Sequence, residues 1–193
     1  MPRLNNDTFY LNALKKHGQN AKGLNWHNKN SQEIRFETIF HMIEKFSHDN
    51  TTLVDAGCGF GDFYTFLCDK GFEVDYMGYE IVEKFVNIAK LRTKQSIELK
   101  DILHDKLAQA DFYVASGSLN ILTRFETFLF IRRCFEHSKV GFVFNLLEGD
   151  FSRDDFNFFS QSEIREFGEE LDAKVTIKDG YFANDFMVFF EKV

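Results

Sequence analysis

The chain has 193 residues, with 23 Lys+Arg against 30 Asp+Glu for a formal charge of −7, and 44% hydrophobic residues; a single domain of this size buries roughly 70% of the surface its unfolded form exposes and needs neither disulfides nor a metal to hold its core. The acidic surplus weighs against a broad nucleic-acid-binding face, which needs clustered Lys and Arg, and 25 Phe against one Pro exclude low-complexity or disordered character. No run approaches about 18 consecutive apolar residues, and the opening Met1-Pro2-Arg3-Leu4-Asn5-Asn6-Asp7 lacks the apolar stretch of a signal peptide, so a cytoplasmic protein with no membrane partner is expected.

Residues 1–31 are polar and show no sustained period, and they read as an arm or lid in front of a core at 32–193. From Ser31, a candidate N-cap, Phe36, Ile39, Phe40 and Ile43 recur at helical spacing, so a helix is expected to end near Phe46. Ser47-His48-Asp49-Asn50 breaks it, and residues 51–56 form a short, mostly apolar strand that runs into glycines. Helix and strand then alternate: helix 62–70, strand 74–80, helix 82–93, strand 96–101, strand 111–116, helix 124–137, strand 140–145 and helix 161–171. Two terminal strands, 175–178 and 185–191, follow, separated by Gly180 and an irregular stretch. Such alternation implies right-handed crossovers and an α/β, doubly wound, mostly parallel seven-stranded sheet with helices on both faces, the last strand antiparallel. A single domain is expected.

In an open parallel sheet the ligand site lies beyond the carboxyl ends of the strands. The first strand ends in Asp55-Ala56-Gly57-Cys58-Gly59-Phe60-Gly61-Asp62, where glycines allow a tight turn and close approach of a ligand to the backbone. The second strand ends in Glu80, 19 residues after Gly61, where a carboxylate can accept both ribose hydroxyls of a nucleoside. A dinucleotide fingerprint starting at Gly57 and Gly59 needs a small residue at 62, which is Asp62. Asp55 and Asp62, flanking the loop, would also repel a diphosphate. A cationic or zwitterionic ligand suits it better. The three cysteines, Cys58, Cys68 and Cys134, fall in no CxxC pair and the six histidines in no HxxxH pair, so reduced thiols and no metal site are expected.

On Leu53-Val54-Asp55-Ala56-Gly57-Cys58-Gly59-Phe60-Gly61 and Tyr79-Glu80-Ile81, the chain resembles the class I S-adenosylmethionine-dependent methyltransferases, with their Rossmann-like fold. It is similar to a narrower bacterial group among them through Asn25-Trp26, Ser31-Gln32-Glu33-Ile34-Arg35-Phe36 and Ala115-Ser116-Gly117-Ser118. The resemblance spans roughly residues 24–148. It implies that Gly57, Gly59 and Gly61 pass beneath the methionine part of S-adenosyl-L-methionine, that Asp55 meets its amino group, and that Glu80 holds the ribose. It further implies that Ile81 packs on the adenine, that Asp101 faces the adenine amino group with Ile102 beside it, and that Ser116 lines the amino-acid end. Arg35 would bind the cofactor carboxylate, with a surface ion pair as the alternative. Trp26 would close the pocket, with simple packing of the arm as the alternative.

Methyl transfer is an in-line displacement that needs alignment more than a dedicated base, and the sequence identifies no catalytic residue. The run Ser116-Gly117-Ser118-Leu119-Asn120 lacks the Asn/Asp-Pro-Pro-aromatic pattern of methyltransferases acting on nucleobase or glutamine nitrogens. That departure, with the acidic charge, points to a small metabolite or a protein side chain as acceptor. His104, Ser118, Asn120, Asn145 and Tyr181 are candidates to reach it, each more often structural in such positions. Two other classes stay open at this point: a nicotinamide-dependent oxidoreductase, and a domain that binds the cofactor or its demethylated product as a sensor or scaffold.

Overall fold

The computed structural model describes residues 6–149 and 156–193; of the expected arm, residues 1–5 lie outside them. In chain order the elements are α1 (Asn6–His17), a 3-10 turn (Ala21–Leu24), α2 (Lys29–Ile43), a 3-10 turn (Glu44–Phe46), β1 (Thr52–Ala56), α3 (Asp62–Asp69), β2 (Asp75–Glu80), α4 (Glu83–Thr93), β3 (Ser96–Leu99), β4 (Ala110–Ala115), α5 (Arg124–His137), β5 (Ser138–Glu148), β6 (Phe158–Phe159), α6 (Gln161–Glu170), β7 (Ala173–Phe182) and β8 (Asp185–Lys192).

The strands form one sheet in the order β3-β2-β1-β4-β5-β8-β7, with β6 paired to β5 off this path. The pairs β1–β2, β1–β4, β2–β3 and β4–β5 are parallel, and β8 runs antiparallel to both β5 and β7. Order therefore reverses at β1, beside β4, where the ends of the two strands leave a crevice for a ligand.

Strand alternation sends β5 side chains to opposite layers. Phe142, Phe144 and Leu146 join Phe130, Ile131 and Phe135 of α5 on one face; Val143 joins Phe36 and Ile39 of α2, Phe63 and Leu67 of α3 and Val86 of α4 on the other. The abundant Phe is core filling: the Phe142 and Phe144 rings stack 4.7 Å apart, and Phe190 meets Phe144 edge-on at 5.3 Å.

Four expectations change. The sheet has eight strands rather than seven, because the two-residue β6 is too short to show a period. Residues 1–31 are not uniformly irregular: α1 turns Tyr10, Leu11 and Leu14 onto Phe60, Val82, Phe85 and Ile88. The helix α2 starts earlier, capped by Asn28, whose side chain accepts from Ser31 N–H; Ser31 closes the capping box instead of being the cap. Finally, β7 and β8 form one hairpin through Ala183-Asn184, with a register shift in β7 between Lys178 and Phe182 that absorbs Gly180.

The helix α5 has a complete capping box, with Thr123 Oγ1 accepting from Glu126 N–H and the Glu126 carboxylate accepting from Thr123 N–H at 2.9 Å. Thr123→Ala is expected to cost about 1 kcal/mol, read as a lower urea midpoint with an unchanged denaturant slope.

Candidate functional site

The loop after β1 is pinned from below, as Gly57 N–H and Cys58 N–H both donate to Tyr79 O at 2.8 and 3.1 Å. Gly57 has φ +92°, and a Cβ there would fall 2.5 Å from Ser118 Cβ, so the loops after β1 and β4 touch only because residue 57 has no side chain. Gly61 caps α3 and packs against Thr93.

These loops, the ends of β2 and β3, and the N-terminal segment enclose a cavity of about 160 Å³. Nine of the eleven residues expected to hold the cofactor line it, Trp26, Asp55, Gly57, Gly59, Glu80, Ile81, Asp101, Ile102 and Ser116, together with the acceptor candidates Ser118 and Asn120. Gly61 and Arg35 are not on its wall.

Glu80 is 6% exposed at the end of β2. Its Oε2 accepts from Gly59 N–H at 3.0 Å, and Oε1 accepts from Ile81 and Val82 N–H at 2.8 and 2.9 Å. The carboxylate thus ties the glycine loop to the turn after β2 while still facing the cavity. Asp55, 4% exposed, accepts from Tyr76 Oη–H at 2.7 Å. Burial pushes both carboxyls up to about 7; the Tyr76 hydrogen bond at Asp55 and the three backbone donors at Glu80 restrain the rise. Asp62 accepts from Gln32 Nε2 at 3.1 Å and pairs with Arg92 at 2.6 Å. Asp101 accepts from Leu103 N–H at 2.8 Å and contacts the His104 ring at 2.9 Å. Against these four carboxylates the wall carries Lys100, itself paired with Glu98 at 2.8 Å. Ile81 stands 36% exposed on the wall, an apolar surface for a planar ligand. The Ser116 hydroxyl finds no hydrogen-bond partner among the described residues.

The two buried carboxyls give a pH dependence of known sign. In the unfolded chain they release their protons near pH 4, and in the folded chain near 7. Between those values the folded state holds protons that the unfolded state has lost, so stability falls as pH rises through the window. A loss on the order of 2 kcal/mol for each carboxyl between about pH 5 and 8 is expected in urea denaturation, with a shallower slope in Glu80→Gln.

Arg35 is neither a surface pair nor on the cavity. It is 5% exposed; Nε donates to Asp185 Oδ2 at 2.8 Å, one terminal nitrogen also donates to Asp185, and the other donates to Ser31 O at 2.7 Å. Asp185 further accepts from Tyr181 Oη–H and, through both oxygens at 3.1 Å, from Asn145 Nδ2; Asn145 Oδ1 in turn accepts from Gly117 N–H at 2.7 Å. The guanidinium lies over the ring of Trp26 at 4.9 Å and over that of Phe182 at 4.7 Å. A Cβ on Gly117 would come within 2.7 Å of the indole, so Trp26 rests on the loop after β4 while the buried network fixes that loop from beneath.

Asn145 and Tyr181, singled out as acceptor candidates, are thus held in this network, and His104 lies exposed beside Asp101. Tyr10, Asn25, Gln32, Lys100 and Phe85 also line the cavity and were not expected there. Tyr10 carries a signal, since with Ala13 and Leu14 it sits at helical spacing, and Asn25 and Gln32 fall within the runs that carry the resemblance; Lys100 carries none. Among the described residues no group of three His, Cys, Asp or Glu side chains could hold a metal, no helix is long and apolar enough to cross a membrane, and the three cysteines are free.

No family model matches the chain. A curated Mycobacterium tuberculosis protein, named "Putative methyltransferase Rv1506c", is 32% identical over 74 residues, a match spanning 38% of this chain and 45% of that one. Among solved structures, the magnesium protoporphyrin IX methyltransferase of Synechocystis PCC 6803, crystallised with S-adenosylhomocysteine, superimposes with a TM-score of 0.69 at 14% identity over 87% of this chain and 89% of its own. A TehB-like S-adenosylmethionine-dependent methyltransferase from Corynebacterium glutamicum gives 0.68 at 16% identity, over 97% and 99%. One from Clostridium acetobutylicum gives 0.67 at 12%, over 83% and 91%. The fold of this chain is that of the S-adenosylmethionine-dependent methyltransferases.

Proposed function

We propose that the protein transfers a methyl group from S-adenosyl-L-methionine to a small molecule or protein side chain. The observation that carries this reading is the Glu80 carboxylate: buried at the end of β2, braced by three backbone N–H groups and facing a cavity whose floor is the glycine loop. Its one remaining lone pair, on Oε2, suits a ribose hydroxyl. The wall fits the rest of the molecule as well. Four carboxylates against one lysine favour a sulfonium and an ammonium, the unpartnered Ser116 hydroxyl suits a polar amino-acid end, and Ile81 with Ile102 suits an adenine whose amino group meets Asp101.

When bound, the cofactor supplies an electrophilic methyl group on a charged sulfur. The chain's part is placement. Gly57 and Gly59 let the backbone come close, Asp55 and Glu80 fix the two ends, and Trp26 with Tyr10 covers the cavity against water. No base is required, because alignment of nucleophile, methyl carbon and sulfur supplies much of the acceleration. The same acidic wall disfavours a dinucleotide, whose diphosphate would face Asp55 and Asp62.

Incubating the purified chain with methyl-deuterated S-adenosylmethionine in a desalted cell extract, restored with its small-molecule fraction, tests this reading. A deuteriomethylated product that depends on the protein is expected. Cofactor uptake without transfer to any fraction would leave a binding protein and not a methyltransferase.

A further inference from the structure

Asn120 is 8% exposed, lines the cavity, and its Oδ1 finds no hydrogen-bond partner among the described residues. The atom is not orphaned by a loose loop. The Asn120 carbonyl accepts from Asn157 N–H at 2.8 Å, Asn157 Nδ2 donates to Leu122 O at 3.2 Å, and Leu122 N–H donates to Leu119 O at 3.2 Å, so the turn after β4 is held at both ends. Leu122, Phe130 and Phe156 also line the cavity and are apolar. A buried carbonyl oxygen with no partner is costly unless a ligand supplies one.

Resting on the methyl-transfer reading above, we infer that Asn120 marks the acceptor subsite, and that the acceptor is an uncharged or cationic molecule with an apolar body and an N–H or O–H donor. Donation of that hydrogen to Oδ1 leaves the lone pair on the same heteroatom directed at the methyl carbon; as the new bond forms, the carbon–sulfur bond breaks with its electron pair left on the sulfur of S-adenosylhomocysteine, and the acceptor's proton passes to water. An acceptor that presents a carboxylate or phosphate at this point would set oxygen against oxygen, within a wall that already carries four carboxylates against one lysine. Asn120 is then a specificity residue that orients the nucleophile.

Phenol and benzoate, alike in ring and opposite in the hydrogen bond they offer, test this by calorimetric titration into the full chain saturated with S-adenosylhomocysteine. Phenol is expected to bind and benzoate not. Asn120→Leu should weaken phenol at least about tenfold, the equivalent of one lost hydrogen bond, while S-adenosylhomocysteine affinity stays within about twofold. Asn120→Asp, near-isosteric and still an acceptor, should keep phenol binding. The inference is overturned by benzoate binding as well as phenol, by no phenol binding, by unchanged phenol binding in Asn120→Leu, or by its loss in both variants. A loss of S-adenosylhomocysteine affinity in Asn120→Leu would make Asn120 a cofactor ligand and overturn the subsite while leaving the cofactor reading intact. Failure of the unaltered chain to take up S-adenosylhomocysteine would instead remove the reading on which the subsite rests.

Discussion

Replacing Asp185 with alanine is expected to lower the unfolding free energy by about 3–5 kcal/mol. The carboxylate sits at the start of β8 with 2% exposure and receives Arg35, Tyr181 and Asn145 together. Burial pushes its carboxyl up and the Arg35 guanidinium opposes that rise, so the pair holds its charges because each compensates the other. Removing one member leaves a buried guanidinium with a single carbonyl partner, Ser31 O, and strips donors Tyr181 and Asn145 of their acceptor. Desolvation, not the lost attraction, sets the size of the effect. For that reason the pair replaced together by Arg35→Met and Asp185→Leu should recover the share of the loss due to the bare guanidinium, while Tyr181 and Asn145 still lack their acceptor, a non-additivity that a double-mutant cycle in urea measures directly. A cost below about 1 kcal/mol for Asp185→Ala would mean that the ion pair is solvated in solution. Because Asn145 also holds Gly117 N–H, the single variant should in addition loosen the seat of Trp26.

The second large effect is on binding. Glu80→Gln is expected to reduce affinity for S-adenosylhomocysteine by about a hundredfold, the equivalent of a lost charge-assisted hydrogen bond and the mismatch that follows it. Three backbone donors converge on this side chain, one on Oε2 and two on Oε1. A glutamine has one oxygen to offer them, so its amide nitrogen must face either Gly59 N–H or the Ile81 and Val82 N–H pair. Both the ribose partner and the position of the glycine loop are then disturbed. Stability near pH 8 should change far less than affinity, because the substitution also removes a carboxylate that burial disfavours in its charged form. Equal affinities in the two proteins would place the ribose elsewhere.

Much of this site could be read from the residues because its requirements are local. A strand that runs into Gly57 and Gly59, and a carboxylate at the end of the next strand, follow from the order of elements and from which backbone positions admit a ligand. Helix α5 is legible at 124–137, as observed, since its apolar stripe and boundaries lie within one segment. What escaped depends on distant partners. Arg35 meets Asp185 across 150 positions, and no periodicity around either residue announces the other, so the local pattern offers the guanidinium a cofactor carboxylate or a surface partner and not a strand. The helix α1 escaped for a related reason: with Tyr10, Leu11 and Leu14 as its apolar contacts, its stability comes from packing on Phe85 and Ile88 and not from its own pattern. The two-residue β6 exists only through its pairing with Leu147 and Glu148 of β5.

The most direct measurement is a calorimetric titration of the intact chain with S-adenosylmethionine and S-adenosylhomocysteine at about pH 8, where Asp55 and Glu80 are charged, repeated at about pH 6. Saturable one-to-one binding in the micromolar range that weakens at the lower pH is the result predicted, since a cationic ligand favours the ionised carboxylates. No binding of either compound at either pH, with NADH binding in their place, would contradict the account.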